Sequence, residues 1–320
     1  MLEIILAVVI LVSGLTIIIF SSMIAVKHSA ILAAALGISP LIIGITLVSI
    51  GTDISEIINS LISCSLGHGD IDVGDSVGSD LTQLTLVFGL LPLVTGTIIV
   101  IHRKDIIILG SCEILSLIVI YTIVEKGYIT RLNAILMVGS LGIYMWLIYN
   151  ANKESILHRV DMIEKIESRK NKIRHLLLAI LGFGGVTLAS YMIVNSVITL
   201  SRSLNIHEYV ISFFIVAIGT SLPELAVDIN ALRLKHHSIA IGDIIGSCIV
   251  DSTLSIGIGQ VFWPQAVSAS LAVPTVLFTL VASLIVFITI AVRQKVDKKA
   301  GILFISLYFI SYIFLFSFWL

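Results

Sequence analysis

Long runs of apolar residues, separated by short charged stretches, make up most of the chain. Because about 20 apolar residues are enough to cross a bilayer, these runs predict ten transmembrane helices. The predicted spans cover residues 3–26, 40–66, 72–101, 106–124, 129–149, 176–200, 208–234, 240–263, 269–292 and 302–320. The pattern therefore predicts an all-α polytopic membrane protein.

The composition excludes an ordinary water-soluble domain. Of the 320 residues, 58% are hydrophobic and 12% are charged, whereas soluble domains carry about 25% charged residues. Residues 2–26 lack the basic start and the small-residue cleavage site of a signal peptide, and they are long enough to span the membrane. The net charge of −1 gives no indication of a nucleic-acid partner. The expected surroundings are a lipid bilayer.

A charged stretch at 150–175 separates two halves of five predicted spans each. We expect residues 1–149 to form the first five-helix repeat and residues 176–320 to form the second. Counting Lys and Arg in alternate loops places sixteen on the side of the linker and three on the other. Because cytoplasmic loops carry the excess of positive residues, this distribution predicts a cytoplasmic linker and both termini outside, in the cell membrane.

The two halves share an internal repeat. A shift of 168 residues superposes 37–89 on 205–257 without a gap. Identical pairs include Gly51/Gly219, Thr52/Thr220, Glu56/Glu224, Gly74/Gly242, Asp75/Asp243, Gly78/Gly246 and Ser79/Ser247. An odd number of spans in each half inserts the two copies in opposite directions. Such inverted repeats are typical of secondary transporters, whose substrates bind at the repeat interface near the membrane midplane.

Each repeat carries a glutamate far inside an apolar run. The first copy reads Gly51-Thr52-Asp53-Ile54-Ser55-Glu56 and the second reads Gly219-Thr220-Ser221-Leu222-Pro223-Glu224. An ionised residue at this depth costs about 2.5–3.5 kcal/mol even on the most lenient scale, and such residues are usually functional. The alternative is a structural carboxyl group, protonated or bonded to neighbouring helices.

The residues around each glutamate predict a cation site. Thr52 and Thr220 precede the glutamates by one helical turn, and Pro223 removes the amide that would bond the Gly219 carbonyl. Carboxylate, hydroxyl and carbonyl oxygens are the ligands of hard cations, and Ca²⁺ takes about 6–8 of them. Two facing motifs could supply that number, and one could not.

A second element lies about 22 residues after each glutamate. It reads Gly74-Asp75-Ser76-Val77-Gly78-Ser79-Asp80 and Gly242-Asp243-Ile244-Ile245-Gly246-Ser247-Cys248. We expect its glycines to allow close helix packing. Ser79 and Ser247 could add oxygen ligands, and Gln83 and Asp251 lie one turn further on.

At these motifs the sequence resembles the calcium/cation antiporter superfamily, and within it the sodium/calcium exchangers. Residues 219–224 and 246–247 match the second alpha repeat of that family closely, and 37–89 resembles a more divergent first alpha repeat. The resemblance implies a central site for Ca²⁺ and Na⁺. Its implied lining is Glu56, Glu224, Thr52 and Thr220, with Ser221, Ser79 and Ser247 as further ligands, Gln83 and Asp251 as a flanking polar pair, and backbone carbonyls of Ser49 and Ala217.

Several positions depart from the family pattern. Asp53 stands where the family usually has serine, Ser55 where it usually has proline, and Gln83 where it usually has asparagine or aspartate. Asp75, Asp80 and Asp243 occupy places commonly held by asparagine. Asp53 adds a negative charge to the site, which changes the expected ion stoichiometry or allows a proton to replace a sodium ion.

The hypothesis from the sequence is Na⁺-driven Ca²⁺ exchange by alternating access, without an enzymatic step or a cofactor. An H⁺/Ca²⁺ exchanger, or one for another divalent cation, remains the nearest alternative. A channel would need a continuous pore. The short pattern Gly67-His68-Gly69-Asp70 also resembles that of intramembrane aspartyl proteases, which would leave the repeat unexplained.

Overall fold

The computed structural model describes residues 2–35, 49–151, 172–233 and 237–319, and these are almost entirely helical. The first half contains α1 (Leu2–Ala35), α2 (Ser49–Thr52), α3 (Ile54–Ser65), α4 (Gly69–Leu81), α5 (Phe88–Thr95), β1 (Ile99–Val100), α6 (Arg103–Val124) and α7 (Arg131–Ala151). The second half contains α8 (Lys172–Leu204), α9 (Glu208–Ile211), α10 (Ala217–Thr220), α11 (Leu222–Arg233), α12 (His237–Val250), α13 (Ile256–Phe262), α14 (Ala269–Arg293), β2 (Lys295–Val296) and α15 (Lys298–Trp319).

Within the described residues, nine helical stretches are long and apolar enough to cross a membrane. They correspond to nine of the ten predicted spans. The remaining predicted span, 40–66, begins outside the described residues, and its described part contains α2 and α3. Most of the predicted linker also lies outside them, although its last residues belong to α8, which begins at Lys172.

Contacts between connecting segments agree with spans that alternate in direction. On the side of the linker, β1 pairs with β2 in an antiparallel ribbon. On the other side, the Ile129 amide donates to the Gln265 carbonyl over 3.0 Å, and the Val267 amide donates to the Gly127 carbonyl over 3.0 Å. The segment after α5 thus meets the one after α14, and the segment after α6 meets the one after α13.

The helices α1 and α8 form an antiparallel pair beside the rest of the bundle. Their backbones approach closely at small residues, because a Cβ atom on Gly182 would lie 2.6 Å from the Ala25 nitrogen. Near the other end of the pair, Gly14 of α1 packs against Ile193. Small residues at helix interfaces permit such packing in membranes. Many large apolar side chains on the outer faces of both helices are exposed, as lipid contact requires.

The glycines of the second motif allow α4 to pack directly on the helix that carries Glu224. A Cβ atom on Gly74 would lie 2.7 Å from the Tyr209 carbonyl oxygen, and one on Gly78 would collide with the Phe213 carbonyl oxygen. The prediction of close helix approach is confirmed for Gly74 and Gly78. The three cysteines, Cys64, Cys112 and Cys248, are free and buried.

In the part of the chain that the structure describes, three spans contain short π-helical segments, which the sequence did not predict. They cover Thr82–Val87, Ser212–Val216 and Asp251–Ser255. The first and third occupy equivalent positions of the two repeats. Single π-helical turns inside α-helices often mark functional sites, and these two begin next to Gln83 and at Asp251.

Candidate functional site

Both glutamate-bearing helices are interrupted just before the glutamate. The break lies at Asp53 in the first repeat, with φ −81° and ψ 14°, and at Ser221 in the second, with φ −83° and ψ 1°. The first break has no proline. The interruption is therefore a property of both repeats, although Pro223 is found in one of them alone.

Three carboxyl groups meet at these breaks. One oxygen each from Asp53, Glu56 and Glu224 lies within 4.8 Å of the other two. All three side chains are at most 1% exposed. Neither oxygen of Glu224 has a hydrogen-bond partner among the described residues, nor has Oε1 of Glu56. The arrangement has the donor types and the spacing to hold a cation.

Hydroxyl groups around the carboxyl cluster make reciprocal contacts between the repeats. Thr52 Oγ1 lies 3.2 Å from Ser247 Oγ, and the equivalent atoms of Thr220 and Ser79 lie 3.3 Å apart. A second pair of contacts follows the same rule. The Thr52 hydroxyl donates to Asp243 over 3.5 Å, as the Thr220 hydroxyl donates to Asp75 over 3.1 Å. Such reciprocity is what a pseudo-two-fold axis between the repeats requires.

The predicted flanking pair is also in contact. Nε2 of Gln83 donates to Oδ2 of Asp251 over 3.4 Å, and the Ser255 hydroxyl donates to Oδ1 of the same aspartate over 3.2 Å. Both members of the pair are fully buried.

Two of the predicted ligands interact with each other. The Ser221 hydroxyl donates to the Ala217 carbonyl oxygen over 2.8 Å, and the Ser221 amide reaches the same oxygen over 3.2 Å. The hydroxyl therefore points back along its own helix. Ser49 is the first residue of α2, and its side chain is not among those described.

A model of the sodium/calcium exchanger protein family matches residues 6–150 and 174–317. These ranges include nearly the whole chain outside the charged linker. The chain belongs to the sodium/calcium exchanger family.

Individual relatives agree with this assignment. The sodium/calcium exchanger MaX1 of Methanosarcina acetivorans is 26% identical over 93% of this chain and 95% of its own. A solved structure of the sodium-calcium exchanger NCX_Mj is 26% identical, with a TM-score of 0.63 over 97% of this chain and 98% of its own. The structure of the H⁺/Ca²⁺ exchanger CAX shares the fold, with a TM-score of 0.75 at 16% identity over 96% of this chain and 82% of its own.

Among the described residues, ten acidic residues are at most 1% exposed and no Lys or Arg is buried. The ten are Asp53, Glu56, Asp72, Asp75, Asp80, Glu113, Glu224, Asp228, Asp243 and Asp251. Buried carboxylates without cationic partners are strongly unfavourable. Bound metal ions or protons must therefore neutralise much of this charge.

Sequence reasoning did not place some of these acids at the site. Asp75 and Asp243 contact the motif threonines. Because these two positions are identical across the repeat, the sequence could have indicated that they belong to the site. Glu113 has no such signal, because it lies on α6 outside both motifs. The acid is nevertheless buried in the middle of a span, which is unusual enough to indicate function.

The protease interpretation finds no support at Asp70. Its carboxylate accepts hydrogen bonds from the Ser268 amide over 2.6 Å and from the Ser268 hydroxyl over 2.7 Å, and His207 lies 3.7 Å away. Asp70 thus joins two connecting segments at one end of the bundle.

Proposed function

We propose that this exchanger moves Ca²⁺ across the membrane in exchange for Na⁺ by alternating access. The observation that carries the proposal is the buried meeting of Asp53, Glu56 and Glu224 at the breaks of two equivalent helices. Oxygen ligands of this kind suit Ca²⁺. Na⁺ in sufficient number neutralises the same charge.

The ligands fall into two groups by position. Glu56 and Glu224 supply the central carboxylates, and Asp53 adds a third. The surrounding oxygens come from the residues that precede the glutamates, namely Thr52, Thr220, Ser221 and the carbonyls of Ser49 and Ala217, and from the second motif of each repeat and the turn after it, namely Ser79, Ser247, Gln83 and Asp251. This shell contains both charged and neutral oxygens, as a site that alternates between one divalent ion and several monovalent ions needs.

The charge of the site favours exchange over uniport. Closing a hydrophobic gate over an empty cluster of carboxylates costs too much free energy, because the charges would lose water without gaining counter-ions. The same movement is possible when bound ions neutralise the cluster. The carrier therefore reorients when it is loaded with either ion, and one ion must leave before the other is carried back.

The arrangement in the membrane follows from the charge distribution. We propose that 1–149 and 176–320 are inverted repeats joined by the linker 150–175, in the cell membrane with the linker in the cytoplasm and both termini outside. The positive-inside rule supports this orientation. A reporter fused to the C terminus should be accessible from outside intact cells.

Exchange of Ca²⁺ for H⁺ is the second candidate. The excess of buried acids over buried bases supports it, because one Ca²⁺ or a few Na⁺ ions leave much of the buried charge without a partner. Protons bound to the remaining carboxyl groups would neutralise this charge. A proton that is released during the cycle would couple Ca²⁺ transport to the pH gradient.

Proteoliposomes separate the two candidates. With Na⁺ inside and Ca²⁺ outside, an outward Na⁺ gradient at equal pH should drive Ca²⁺ uptake. An outward H⁺ gradient without Na⁺ should drive little Ca²⁺ uptake. Uptake that is driven by the H⁺ gradient but not by the Na⁺ gradient would reject Na⁺ as the coupling ion and leave the H⁺ exchanger.

The central site is tested by Glu56→Gln and Glu224→Gln, which keep the shape and remove the charge. Either change should abolish Ca²⁺ uptake, and Glu125→Gln, at an exposed position after α6, should not alter it. Transport that persists in either central variant would contradict the assignment of the site.

A further inference from the structure

Glu113 belongs to a buried polar cluster on α6, a helix that carries none of the proposed central ligands. The Ser116 hydroxyl lies 3.3 Å from Oε2 of Glu113, and the Ser252 hydroxyl lies 3.4 Å from the same oxygen. The two hydroxyl oxygens are 2.9 Å apart. The other carboxyl oxygen of Glu113 is buried and has no hydrogen-bond partner among the described residues.

Asp80 is the second acid of this cluster. It is completely buried, and neither of its carboxyl oxygens has a hydrogen-bond partner of ordinary geometry among the described residues. Glu113 and Asp53 both lie close enough to Asp80 for their charges to act on it. The Ser252 hydroxyl lies beside Asp80 as well as beside Glu113. The two acids therefore share the Ser252 hydroxyl as a neighbour.

The second repeat holds the two acids together. Cys248 and Ser252 are one helical turn apart, and the Cys248 thiol contacts the Asp80 carbonyl at 3.9 Å while the Ser252 hydroxyl reaches Glu113. The segment from Cys248 to Ser252 therefore lies between α4 and α6. No Lys or Arg is buried among the described residues to balance the acids.

We propose that Asp80, Glu113, Ser116 and Ser252 form a second cation-binding site, which holds one divalent cation such as Ca²⁺. Two carboxylates offer four oxygens and the two hydroxyls offer two more, which reaches the lower end of the about 6–8 that Ca²⁺ requires. The charge of the ion matches that of the two acids. The site is separate from Asp53, Glu56 and Glu224, and it does not depend on which ion drives exchange.

Asp53 connects the two sites electrostatically, because it interacts with both Asp80 and Glu56. A cation between Asp80 and Glu113 reduces the negative potential at Asp53. Occupation of the second site therefore weakens the attraction of the central site for its own cations, and loss of the second ion strengthens it.

Equilibrium binding of radioactive ⁴⁵Ca²⁺ to the purified protein in detergent, without Na⁺, tests the proposal. The wild-type protein should bind two ions. The variant Glu56→Gln/Glu224→Gln should bind one, and so should Asp80→Asn/Glu113→Gln. All four changes together should leave none. Glu125→Gln, the matched change at an exposed position, should retain two.

Two results would overturn the second site. One is a Glu56→Gln/Glu224→Gln variant that binds no Ca²⁺, and the other is an Asp80→Asn/Glu113→Gln variant that still binds two. If the latter variant does not fold, Ser252→Ala provides the test. This variant should still bind two Ca²⁺ ions, one of them with several-fold lower affinity. Two unchanged affinities would contradict the proposal. These outcomes are independent of the exchange assay.

Discussion

Gln83 donates a hydrogen bond to Asp251 over 3.4 Å, and the two residues are 168 positions apart, which is the offset of the internal repeat. Equivalent positions of the two halves therefore meet each other directly. The pseudo-two-fold axis passes close to this bond. Because one member is an amide and the other is an acid, the second repeat contributes an additional charge at a place where the fold is otherwise symmetric.

Replacement of Asp251 by asparagine should change the ions that the exchanger carries. The variant loses one negative charge and a hydrogen bond to a charged group, which typically contributes about 1.5–3 kcal/mol. We expect Ca²⁺ affinity to fall by roughly tenfold or more, and fewer Na⁺ ions to be coupled to each Ca²⁺. The Na⁺ gradient that stops net Ca²⁺ flux measures this ratio.

Gln83→Glu is the matched opposite change, since it adds a charge at the equivalent position. The two variants should move the coupling ratio in opposite directions. A ratio that is unchanged in both would show that the pair lies outside the ion-binding region.

Asp53→Ser restores the residue that the family usually has at this position. The change removes one of the three carboxyl groups that meet at the site. We expect Ca²⁺ uptake by the variant to vary less with pH than uptake by the wild type, because one group able to exchange an ion for a proton is gone. Uptake measured from mildly acidic to mildly alkaline pH tests this, and an identical pH profile would exclude a proton-carrying role for Asp53.

Gly78→Ala should destabilise the packing of α4 against the second repeat. The added methyl group would overlap the backbone carbonyl of Phe213, and overpacking of this kind costs about 1–3 kcal/mol. The melting temperature in detergent should fall. Gly184→Ala is the control, because open space surrounds that glycine, and similar melting temperatures for the two variants would contradict the close approach.

Removal of Ca²⁺ should destabilise the protein. A ligand that binds only the folded state adds about 2.7 kcal/mol when its free concentration is 100 times its Kd. We expect chelation to lower the melting temperature of the wild type, and to lower it less in Glu56→Gln/Glu224→Gln. An equal decrease in both would mean that the central carboxylates do not hold the ion.

Asp297, between α14 and α15, should contribute to stability in a pH-dependent way. The Ala300 amide donates to its carboxylate over 3.0 Å and Arg293 lies 2.6 Å away, so these contacts lower the pKa of Asp297. A carboxyl group whose pKa is lowered in the folded state stabilises the protein at pH values above the ordinary pKa of about 3.9. This contribution is lost as the pH falls through the folded-state pKa. Asp297→Asn should melt earlier than the wild type at neutral pH, and the difference should vanish in acid.

The sequence predicted nine spans that the described residues contain, and it singled out Glu56 and Glu224, which the structure brings together. Apolar runs between charges give spans directly, and Glu56 and Glu224 are distinguished by duplication as well as by depth. Glu113 has the depth but not the duplication, since it is a single acid on a helix without a motif. The helix break at Asp53 has no local marker in the sequence, because Ser55 stands where the family usually has proline. The π-helical turns depend on packing between the repeats and leave no local pattern.

Half of the ten buried acids lie on the two spans that are most enclosed by protein. The spans Gly69–Thr95 and Ala240–Phe262 are the most completely buried of the candidate spans in the described part of the chain. A bilayer accepts such acid-rich segments poorly when each is presented by itself. Their integration during synthesis therefore depends on neighbouring helices that are already in place, so the two halves must assemble around each other before either is stable in lipid.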